Sequence, residues 1–99
     1  MPQLVILYWR DIPSQVIVKA GRTSAKRELS KRFIETIDRA AMRSGASGTD
    51  DYLQGWRRAD AVEVEGGLEA AAQAAVDRLE REYDAARLLK LSANGGREG

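Results

Sequence analysis

The 99-residue chain contains no cysteine and no histidine. Without cysteine there are no disulfides, thiolate metal sites or cysteine nucleophiles. Without histidine the side chain that titrates near neutrality is missing, and with it every Ser-His-Asp or Cys-His arrangement; the two absences together remove the usual zinc ligands. Any catalysis would have to rest on carboxylate, Lys, Arg, Tyr or Ser/Thr chemistry, and neither metal nor cofactor is expected. Long apolar runs are lacking too. The strongest, residues 4–9 (LVILYW), is six residues, far short of the ~20 that cross a bilayer. No basic stretch precedes it, so no secretory signal or anchor is expected and a cytoplasmic location is. Charge of one sign is also lacking: 16 Lys/Arg face 15 Asp/Glu, net +1.

What is present describes an ordinary globular chain, 43% hydrophobic and 31% charged, with size for one domain burying roughly 65% of its unfolded surface. A large enclosed active-site cavity is not expected at that size. Arg outnumbers Lys twelve to four and Ala occurs fifteen times, a bias suggesting a high-GC bacterial genome.

Residues 4–9 are apolar at both alternations, Leu4, Ile6 and Tyr8 pointing one way and Val5, Leu7 and Trp9 the other, as in a strand covered on both sides. Turn chemistry at Asp11, Pro13 and Ser14 precedes a β-branched run over 15–20, so the two segments read as an antiparallel hairpin. Gly21 then breaks the pattern. Thr23 or Ser24 suits an N-cap, and Leu29, Phe33, Ile37, Ala40 and Ala41 form one helical stripe, predicting a helix from Ala25 that stops at Gly45. A small-residue loop over 44–48 and a Thr49 cap lead into a short acidic turn over 50–54. A third strand is expected over 59–64. A last helix follows over 68–91, then a disordered tail over 92–99. The expected fold is α+β, a single domain over 1–91: a two-layer sandwich, β-β-α-(short α)-β-α, with a three-stranded mixed sheet and the first strand central. Two helices would cover one sheet face and leave the other open.

Two groups of residues could carry function. Arg22, Thr23, Ser24, Lys26 and Arg27 at the expected helix start would offer free amides, a positive dipole end and cations to a phosphate or carboxylate; a capped helix with solvated basic residues would look the same. Residues 1–32 carry seven Lys/Arg against two Asp/Glu, net +5, which could steer an acidic partner. Nucleic acid is not the expected partner, because the nearby aromatics look like core residues. The second group is Tyr52, Trp56, Arg57 and Arg58 with Tyr8 and Trp9, the residue types enriched where protein interfaces concentrate their energy. Tyr52 and Trp56 could equally plug the end of the core.

The run Tyr8-Trp9-Arg10-Asp11-Ile12-Pro13 is distinctive. With residues 1–22, 25–29, Tyr52-Leu53, Trp56-Arg57-Arg58 and 82–88, the chain resembles the small bacterial family labelled virulence factor, whose domain is also similar to part of the conserved virulence factor C proteins. That resemblance supplies no catalytic residues and no cofactor; it implies an accessory role linked to folate and corrinoid one-carbon metabolism. The expectation is a non-enzymatic interaction module or accessory subunit, as a homodimer or on a larger protein partner. A small phosphate or nucleotide-anion binder using residues 21–27 and an unusual carboxylate/Lys/Arg enzyme are the alternatives.

Overall fold

The computed structural model describes residues 2–46, 48 and 50–98. Strands β1 (Gln3–Trp9) and β2 (Ile12–Ala20) form the expected hairpin around the turn Arg10-Asp11. Leu7 opposes Gln15 while Tyr8 opposes Pro13, so Ser14 is an extra residue in β2. The bulge falls beside the proline because Pro13 has no amide to give to a regular ladder. The Ser14 carbonyl instead accepts from the Leu29 amide at 3.0 Å.

The expected helix from Ala25 is not formed. Thr23–Glu28 is a third strand, β3, antiparallel to β2, with Ala25 opposite Val18. Ala25 and Leu29 are four apart and mimic a helical stripe, but Gly21 at φ +59° lets the chain turn back at once, and pairing with β2 then buries Ala25 alone among polar and charged neighbours. Helix α1 (Lys31–Arg43) starts later, buries Phe33, Thr36, Ile37, Ala40 and Ala41, and ends where expected, before Gly45 at φ +73°. Its first turn is held by Glu80, which accepts from the Ser30 amide at 2.7 Å and the Ser30 hydroxyl at 2.9 Å.

Helix α2 (Asp50–Gln54) follows; the expected Thr49 cap, like Ser47 of the preceding loop, lies outside the described residues. The single strand expected over 59–64 is two short ones, β4 (Trp56–Arg58) and β5 (Val62–Glu63), both antiparallel to β1. The sheet therefore has five strands, not three, in the order β3-β2-β1-β4 with β5 also on β1. Every pairing is antiparallel rather than mixed, because the early hairpin supplies a strand where a helix was expected. Strand β1 is flanked on both edges, as its apolar pattern requires.

The single last helix divides into α3 (Leu68–Glu82) and α4 (Ala85–Ala93). The break is chemical: Asp84 caps α4 by accepting from the Arg87 amide at 2.9 Å. Nor is the segment after residue 91 a loose tail. Ser92 and Ala93 finish α4, and Gly95 and Gly96 are buried against Arg10 and Trp9. Helix α3 lies on β2 and β3, and α1 packs against α4 and β2. Trp9, Ile12, Phe33, Ile37, Val16, Val18 and Leu91 are the large side chains sealed inside. No helix among the described residues is long and apolar enough to cross a membrane.

Candidate functional site

Arg10 has φ +55°, a backbone region that favours glycine. Four contacts hold it there. Its amide donates to the Gly55 carbonyl at 2.7 Å, its carbonyl accepts from Arg57 Nε at 2.9 Å, its Nη1 donates to the Gly95 carbonyl at 2.7 Å, and its guanidinium lies 4.6 Å from the Trp9 ring centroid. Asp11 adds three more: its amide donates to Gly96 O at 2.8 Å, and its carboxylate accepts from the Glu98 amide at 2.7 Å and from Arg57 Nη2 at 3.4 Å. The hairpin turn thereby ties the segment before β4 and the segment after α4 to the sheet.

The six aromatic and arginine residues singled out from the sequence do come together, but not on one surface. Trp9 is fully buried, and its indole is engaged within the chain: Nε1 donates to the Tyr52 carbonyl at 2.8 Å, and the rings of Trp9 and Tyr52 are 5.8 Å apart. Trp56 meets Tyr52 edge-on at 6.1 Å. The alternation of β4 then separates the arginines. Arg57, opposite Tyr8, stacks 4.6 Å from its ring on the side that carries the helices; Arg58, opposite Leu7, is exposed on the other side.

On the helix side a shallow cleft of about 310 Å³ is lined by Tyr8, Asp11, Arg57, Ala59, Tyr83 and Glu98. Asp11, Tyr83, Arg87 and Glu98 escaped the sequence reading, since Tyr83 reads as one more residue of a helical stripe and nothing local brings it to Tyr8. Burial first, and then Tyr8, push the Tyr83 phenol above its usual 10.0, against the pull of Arg87 3.9 Å from its ring. Both guanidiniums already have carboxylates, Arg57 with Asp11 and Arg87 with Glu98. The cleft therefore offers neutralised charge and aromatic surface, not a free cation or a poised acid. No group of three or more Asp/Glu that could hold a metal is present among the described residues.

The residues proposed for an anion do not converge. Arg22 is in the β2–β3 turn, and Thr23, Ser24, Lys26 and Arg27 are on β3. By alternation Thr23 and Arg27 share one sheet face and Ser24 and Lys26 the other. Thr23 Oγ1 donates to Ala20 O at 2.9 Å, and Arg27 pairs with Glu69. The helix N-terminus that would have supplied free amides is absent from this stretch.

The sheet has two unlike faces. Leu4, Ile6, Val16, Val18 and Ala25 are buried in the core beneath the helices. On the reverse, Val5 stands opposite Ile17 with Leu7 beside them; all three are half-buried, yet none belongs to the core or packs against it. Around them are Gln3, Gln15, Lys19, Lys26, Glu28, Arg58 and Glu63. The expected open sheet face is present only in part: Val5 and Leu7 are partly exposed, whereas Trp9 at its end is fully buried under the segments at Gly55 and Gly96. Among solved structures and curated proteins, none matches the chain. A family model described as Virulence factor matches residues 7–91.

Proposed function

The chain belongs to the Virulence factor family, and we propose that it is a non-enzymatic protein-interaction module, an accessory subunit that engages a protein through the reverse face of its sheet. One observation carries this reading: Val5, Leu7 and Ile17 occupy the two interior strands but lie outside the core. Apolar side chains on central strands normally face a packed layer, and burying such a patch favours association by ~25 cal/mol per Å² before association costs. The groups whose ionisation the fold displaces fit a structural role. Glu80 caps α1, Tyr83 is packed beneath Arg87, and Arg87 holds Glu98.

The test compares tagged wild-type chain with Leu7→Asp in the native bacterium, after circular dichroism has shown that both fold. Proteins recovered with the wild type should be lost with the aspartate variant. Equal recovery by both would refute the assignment of this face.

A further inference from the structure

We infer that the reverse face of the sheet is built to receive a second copy of the chain, stacked sheet on sheet about a twofold axis running along the strands between β1 and β2. This rests on reading that face as an interaction surface, and adds the partner and the register. The pairings fix a grid. One row across the sheet reads Arg58, Leu7, Gln15, Glu28; the next centres on Val5 and Ile17 and ends at Lys26. Arg58 and Glu28 therefore stand at opposite ends of one row, with apolar and amide side chains between them.

A twofold axis along the strands exchanges the β3 side for the β4 side. It sets Val5 of each copy over Ile17 of the other, and brings Arg58 of each copy to Glu28 of the other. Facing sheets lie about 10 Å apart, within joint reach of an arginine and a glutamate. The other in-plane axis, across the strands, would set Lys26 on its own counterpart, which like charge disfavours.

A second observation points the same way. Four arginines on the helix side have carboxylate partners within the chain, Arg27 with Glu69, Arg32 with Glu80, Arg57 with Asp11 and Arg87 with Glu98. On the reverse face, Arg58, Glu28 and Lys26 make no ion pair among the described residues. An apolar centre within a rim of unspent charges of both signs is the anatomy of an interface. Four strands at ~4.8 Å spacing over about five residues of ~3.4 Å give roughly 330 Å² per copy. That is the size of a weak, reversible contact.

Sedimentation equilibrium of the full chain from about 10 μM to about 1 mM, the range for a contact this small, tests the inference. The wild type should pass from monomer to dimer. Arg58→Glu and Glu28→Arg should each weaken the dimer by about tenfold or more, and the double exchange should restore it to within about threefold. Both positions are exposed, so melting curves of these variants should match the wild type, and methyl contacts between Val5 and Ile17 across copies should be visible by NMR. A wild type monomeric throughout, a dimer indifferent to both single exchanges, or rescue of Arg58→Glu by Glu63→Arg instead of Glu28→Arg would overturn it. In the monomeric case the Leu7→Asp comparison in the native host still decides whether a different protein occupies the face.

Discussion

Trp9 and Gly55 are packed so closely that a Cβ at position 55 would lie 2.5 Å from the indole Nε1 and 2.8 Å from Cε2. The same nitrogen is fixed by its bond to the Tyr52 carbonyl, and the ring is sealed on every side. Gly55→Ala should therefore force the indole or the β4 entry to move, lowering stability by about 1–3 kcal/mol. Urea unfolding monitored by tryptophan fluorescence checks this. Gly67→Ala, where a Cβ meets nothing within 4 Å, should cost less.

Arg10 sets backbone strain against side-chain contacts. Arg10→Gly releases the strain of φ +55° but forfeits the bond to Gly95 O and the stack on Trp9. Arg10→Ala forfeits both and keeps the strain. Stability should fall in the order wild type, glycine, alanine, with about 1 kcal/mol separating the last two. An alanine variant as stable as the glycine one would show that the turn relaxes.

These two positions also mark what could be read from the sequence. The β1–β2 hairpin, the stop of α1 at Gly45 and the inner place of β1 were legible because alternation and turn residues are local. Strand β3 was not: one buried alanine followed four residues later by a leucine fits a helix as well as a strand, and only pairing with β2 decides. The split between α3 and α4 was carried by a single cap at Asp84 inside a strongly helical stretch. Among site residues, Tyr8, Tyr52, Trp56, Arg57 and Arg58 announced themselves by type. Tyr83, Arg87 and Glu98 join Tyr8 and Asp11 only through tertiary folding.

Glu80 should give stability an acid limb. Partial burial alone would raise its carboxyl, but bonds from the Ser30 amide and hydroxyl and from Arg32 outweigh it and hold the group below 4.5. A folded value below the unfolded one means the contribution is full above pH 4.5 and is lost as pH falls through the folded value. Glu80→Gln should cost about 1 kcal/mol at neutral pH, exposure screening the pair. In melts from neutral to acid conditions the gap between the two proteins should close.

Tyr83 should give an alkaline limb of the opposite sense. Its folded value is raised above 10.0 by burial and then by Tyr8, so its contribution is complete below 10.0 and is lost as pH rises through the folded value. Tyr83→Phe should flatten the loss of stability on the alkaline side. An ultraviolet phenolate titration should show a late-ionising tyrosine in the wild type that is missing from the variant.

The bonds from Arg10 to Gly95 and from Glu98 to Asp11 span 85 and 87 positions. A hairpin turn of this kind ordinarily closes in about 1–10 μs from local contacts alone. Here the turn is completed by residues from the far end of the sequence, so its last hydrogen bonds wait until α4 has packed against α1. The hairpin should therefore form early but become rigid late. Shielding of the Trp9 indole from water should be among the final events of folding, and among the first to be undone when residues 94–98 detach.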